Sequence, residues 1–123
     1  MLKKFKMETI QIKRVYESKE ADETYRVLVD KLWPRGIKKI DLKMDEWNKE
    51  IPPSTELRKW FNHEEKKFEE FERLYRIELE GKEEELSRLR GIAKKEAVTL
   101  LFGAKDSKIN HAIVLQNVLL GKL

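Results

Sequence analysis

Two short apolar runs constrain this chain more than any other feature. The first, at 25–32, reads Tyr-Arg-Val-Leu-Val-Asp-Lys-Leu, and the second, at 98–103, reads Val-Thr-Leu-Leu-Phe-Gly. Both are too short for helices, and apolar enough for strands buried on both faces of a covered sheet. Long helical patterns separate them. Two such strands with helices between them imply a parallel α/β core. The expected fold is a small, mainly parallel sheet of three to five strands flanked by helices. The 123 residues suit one domain, 1–123.

The remaining segments fit around these two runs. Ile10, Ile12 and Val15 make 8–16 a partly alternating strand. Trp33-Pro34-Arg35-Gly36 is a loop, because proline cannot donate to a ladder and glycine permits a turn. Leu42, Met44 and Trp47 are anchors without clean periodicity, and a short strand or irregular turn is expected around 46–48. After Pro52-Pro53, Ser54 is placed to cap a helix containing Leu57, Trp60 and Phe61. Asn62 and Glu65 have capping-box spacing for a second helix, with Phe68, Phe71, Leu74 and Tyr75 on one stripe and Gly81 at its end. A third helix is expected from about 82 to 95. A last one, apolar around most of its circumference, is expected from about Ser107 to Leu120.

Composition removes several classes of function. There is no cysteine, so disulfides, thiol catalysis and thiolate-bound zinc are excluded. No apolar run is long enough for a membrane span, and the basic start lacks the apolar stretch of a secretory signal. A cytoplasmic location is the default expectation. The net charge of +4 is unevenly spread: residues 1–43 carry +5, residues 44–96 carry −3 and residues 97–123 carry +2. Abundant Lys and Glu, two Gln and no Cys are also the composition of a heat-adapted, thermostable protein.

In parallel sheets, ligands bind beyond the carboxyl ends of the strands. The loops after Leu32 and Gly103 would then open on one edge, bringing Arg35 towards Lys105. With the last helix starting nearby, Arg35, Lys105 and Asn110 make a reasonable site for phosphate or carboxylate. Asp106 and His111 are the candidates for moving a proton, although Asp106 is also a natural helix cap. Trp33 at the mouth could stack on a base. His63, His111, Asp106 and Asn110 lack the tight spacing of a metal motif, so no metal is assigned. No phosphate-binding loop, dinucleotide fingerprint or nucleophile elbow occurs, and no cofactor is assigned.

Three stretches carry a family resemblance: VLVDKLWPRGIKK at 27–39, IPPSTELRKWFNH at 51–63 and VTLLFGAKDSKINHAIVL at 98–115. Together with their spacing they resemble the YeaO-like family, domain of unknown function 488, from about Val15 onward. The resemblance implies that the polar residues of these stretches form one site, and it adds Ser54, Arg58 and His63 to Trp33 as pocket-lining residues. It supplies no reaction. The chain departs from the family pattern at Lys31, where Arg is usual. It departs again at Phe102-Gly103, where Tyr and a small residue are usual, and at Glu65, where Pro is frequent.

The leading expectation is a small α/β domain whose strand-end pocket takes an anionic small molecule, with acid/base chemistry of hydrolase or transferase type. The first alternative is a nucleic-acid-binding module, supported by the basic ends and opposed by the acidic middle. The second is a protein-interaction domain whose polar loops are structural.

Overall fold

The computed structural model describes residues 9–123. The basic start therefore lies outside the described residues, as does the first position of the expected 8–16 strand. The strands are β1 (Ile10–Arg14), β2 (Tyr25–Leu28), β3 (Glu46–Trp47) and β4 (Val98–Phe102). The helices are α1 (Thr55–Phe61), α2 (Phe68–Glu80), α3 (Glu83–Ala93) and α4 (His111–Leu119). The strands form one sheet in the order β1-β4-β2-β3, and every neighbouring pair is parallel. The expected small parallel sheet is thus found.

The second apolar run is the centre of the sheet. All five residues of β4 are buried. Val98 lies opposite both Ile10 and Tyr25, and Leu101 opposite Lys13 and Leu28. The pleat sends alternate residues to opposite faces, and the two faces are covered differently. Val27, Val98, Leu100 and Phe102 join one cluster with residues from all four helices, among them Phe61, Tyr75, Leu89 and Leu115. Leu28 and Leu101 join a second, smaller cluster with Val15, Ile37 and Leu42, against which Trp33, Met44 and Trp47 pack. Helices therefore supply one cover. The irregular segment between β2 and β3 supplies the other, which is why its anchors show no periodicity.

Two helix starts differ from expectation. Asn62 does not open a helix but closes α1, in a left-handed conformation with φ 48°. His63 follows with φ 57°, and α2 begins only at Phe68 after a 3-10 turn over Glu65–Lys67. The last helix starts at His111 rather than near Ser107, with Asn110 as its cap. The Asp106 carboxylate accepts the Lys108 and Ile109 amides at 2.8 and 3.1 Å. This local turn competes with helix over 107–109. Ser54 caps α1 as expected, accepting the Leu57 amide at 3.1 Å.

Candidate functional site

Parallel pairing of β2 with β4 brings their carboxyl ends to the same edge. The ladder continues one step past β2, where the Val29 amide donates to the Leu101 carbonyl at 3.0 Å. Asp30 then meets Gly103, whose amide donates to Asp30 Oδ2 at 2.9 Å. A cavity of about 270 Å³ opens beyond this junction. Its wall is built from the loop after β2, the start of α1 and the turn after it, and the start of α4.

Of the sequence-predicted residues, Trp33, Arg35, Arg58, His63, Asn110 and His111 line this cavity. Ser54, Lys105 and Asp106 do not. Ser54 spends its hydroxyl on the α1 cap and on Glu78 Oε2, at 2.6 Å. Lys105 and Asp106 are exposed on the loop leading to α4. The expected Arg35–Lys105 pairing is therefore not what frames the cavity. Arg58 of α1 stands with Arg35 instead.

The two arginines differ from the rest of their kind. The chain has eight arginines. Six guanidiniums donate to acceptors of the chain itself: those of Arg14, Arg26, Arg73, Arg76, Arg88 and Arg90. Those of Arg35 and Arg58 donate to none among the described residues, and Arg58 Nε is buried without a partner. Neither forms an ion pair among the described residues.

Asp30 and His111 form the other polar part of the wall. His111 Nε2 lies 2.8 Å from the Val29 carbonyl oxygen and 3.1 Å from Asp30 Oδ1. Both neighbours are acceptors, so this nitrogen carries a hydrogen. Asp30 Oδ1 is buried and has no hydrogen bond. Asn110 is committed at both ends of its amide. Its oxygen accepts the Ile113 amide at 3.0 Å and its nitrogen donates to the Asp106 carbonyl at 2.7 Å.

Aromatic groups make the wall stiff. Phe61 stacks on Phe71 with centroids 4.3 Å apart. Trp33 meets Trp47 edge-on at 5.2 Å. The fully buried Tyr75 lies beside His111, and its hydroxyl donates to the Ile51 carbonyl at 2.7 Å. Burial, then the charges of Glu78 and Asp30, push the Tyr75 phenol well above its ordinary pKa. It remains a neutral donor. Among the described residues no group of three His, Asp or Glu side chains could hold a metal ion. No helix among them is long and apolar enough to cross a membrane.

Asp30 belongs to the first family stretch, but the sequence reading gave it no role of its own in the site. Its signal was present, because it stands at the carboxyl end of a buried strand, where the strand-end rule applies. Lys31, Pro53 and Gly103 also line the cavity and were not assigned to it.

Comparison with known proteins follows this geometry. A family model described as the inactive DUF488-N3 subclade matches residues 9–123. The uncharacterised protein YeaO of Escherichia coli K12 is 56% identical over 106 residues, covering 86% of this chain and 92% of the relative. The uncharacterised protein Rv3073c of Mycobacterium tuberculosis H37Rv is 37% identical over 113 residues, covering 92% of this chain and 95% of the relative. No solved structure matches. The chain therefore belongs to the YeaO-like DUF488 family, within its inactive DUF488-N3 subclade.

Proposed function

We propose that the strand-end cavity binds a small anionic molecule bearing a phosphate or carboxylate, with Arg35 and Arg58 as its cationic contacts. One observation carries this reading: the two arginines without an acceptor among the described residues both line the same cavity. A guanidinium presents five donors in a planar fork that fits carboxylate and phosphate. Leaving the partly buried Arg58 unpaired is costly, and an anion removes that cost, while the exposed Arg35 adds charge at the rim. Lys31 adds a third positive charge to the lining, against the single carboxylate of Asp30.

Hydrolase- or transferase-type chemistry would rest on Asp30 and His111, since Asp106 stands away from the cavity. The description of the family as inactive favours binding without turnover. The test is the melting temperature in inorganic phosphate, a nucleoside monophosphate, a sugar phosphate and a dicarboxylate. At a hundredfold excess over Kd, a bound anion adds about 2.7 kcal/mol, a rise of several degrees. The rise should vanish in the Arg35→Gln/Arg58→Gln double variant. A flat response to all four anions would overturn the reading.

A further inference from the structure

We propose that the cavity selects an oxyanion carrying its own proton, such as hydrogen phosphate, over a fully ionised anion of the same shape, such as sulfate. This rests on the reading that the cavity binds an anion, and it names the class of anion. The otherwise cationic wall also holds acceptors. Asp30 lines the cavity with Arg35 and Arg58, yet pairs with neither. Its Oδ1 is buried and faces His111 Nε2 at 3.1 Å, so a ligand meets Oδ2, which takes one amide hydrogen from Gly103 and keeps lone-pair capacity for another. A carboxylate has about four lone-pair positions and donates nothing.

His111 reinforces this. Its Nε2 hydrogen lies between the Val29 carbonyl and Asp30 Oδ1, at 2.8 and 3.1 Å. That hydrogen holds Asp30 in place from the buried side. A ligand in this cavity therefore meets donors from the two guanidiniums and an acceptor from Asp30. Sulfate has only acceptors. It satisfies the arginines, but it faces the Asp30 carboxylate with like charge and no shared hydrogen. Hydrogen phosphate has the same tetrahedral shape and charge, and its single O–H supplies the missing donor. A site built around such a hydrogen bond rejects the analogue that lacks it much more strongly than an apolar pocket rejects a misfit.

The test is titration calorimetry at pH 8 and fixed ionic strength with inorganic phosphate, methyl phosphate and sulfate. Phosphate monoesters have a second pKa of about 6, so methyl phosphate is a dianion without a proton at this pH. The expected result is phosphate binding at least about tenfold tighter than either sulfate or methyl phosphate. Asp30→Asn, which removes the negative charge while keeping an oxygen for the Gly103 amide, should bring the three affinities within about threefold. Asp30→Ser is the second variant if the amide fails to fold, and the wild-type comparison needs neither. Equal binding of phosphate and sulfate, both lost in Arg58→Gln, would overturn the selection and leave the anion site standing. Binding of neither oxyanion would also overturn it, and the dicarboxylate melting shift would then decide the broader reading by itself.

Discussion

The Gly103 amide donates to Asp30 Oδ2 at 2.9 Å, and a Cβ added at residue 103 would lie 2.9 Å from that same oxygen. The hydrogen bond and the absence of a side chain are one arrangement. The carboxylate sits where any larger residue would put its first carbon. Gly103→Ala therefore has to move Asp30, a short side chain with little room to yield. The expected loss is about 1–3 kcal/mol in urea unfolding. His111, 3.1 Å from Asp30, should show shifted ring resonances by NMR. Unchanged stability and unchanged resonances would show that the junction is looser than its geometry.

Two arginines should respond in opposite ways to the same replacement. Arg26 is 2% exposed and donates to the Lys43 carbonyl, to Ser18 and to Asp22. Arg26→Met leaves these groups unpaired and should cost about 3 kcal/mol or more. Arg58 has no such partners, so Arg58→Met should change stability by less than about 1 kcal/mol, or raise it. Chemical denaturation of both variants in anion-free buffer makes the comparison.

Acid should weaken the fold partly through Asp22. Burial pushes its carboxyl up, but hydrogen bonds from Thr24 and Lys13 and the Arg26 charge outweigh this and hold it well below the usual carboxylate range. A pKa lowered in the folded state contributes stability that is fully present above the unfolded value, about 3.9, and is lost as pH falls through the folded one. Asp22→Asn should thus cost about 1–3 kcal/mol at pH 7. The gap to wild type should stay constant down to about pH 5 and close as the solution is acidified further. Denaturation curves across that range check the sign.

Asn110 should behave as a helix cap. Its side chain is nearly fully buried, 2% exposed, and both amide atoms are bonded within the chain. Asn110→Ala should cost about 1–2 kcal/mol. Asp106→Ala, on the exposed loop, should cost less, because water can replace the carboxylate at the Lys108 and Ile109 amides. Thermal unfolding of the two variants ranks them.

What the sequence made legible follows from the range of the forces involved. β2 and β4 were readable because burial on both faces leaves a continuous apolar run, and Gly81 and Ser54 were readable because helix ends have local chemistry. The short pairing at Glu46–Trp47 fell where a short strand or irregular turn was expected. The start of α4 was misplaced because Asp106 satisfies amides that a longer helix would have used. Asn62 carried the right residue type for a cap but closes one helix rather than opening the next. Asp30 escaped the site assignment for a different reason. Its partners Gly103 and His111 are brought to it by the sheet, and no periodicity links residue 30 to residue 103. Arg58 came from a family string, and the lack of an acceptor that it shares with Arg35 could be seen only once the other six arginines had found theirs.

The strand order carries a consequence for how this molecule comes into being. β4 lies between β1 and β2, so the two earlier strands are not neighbours of each other. Ile10 and Tyr25 both wait for Val98. A nascent chain that has exposed β1, β2, β3 and the first three helices has only the short β2–β3 pairing to lay them on, and most of its apolar faces stay open until β4 emerges. Closing contacts over such separations slows folding and prolongs the exposure of sticky surface. Because Asp30 meets Gly103 only through that same insertion, the cavity wall is completed by the last strand to be made.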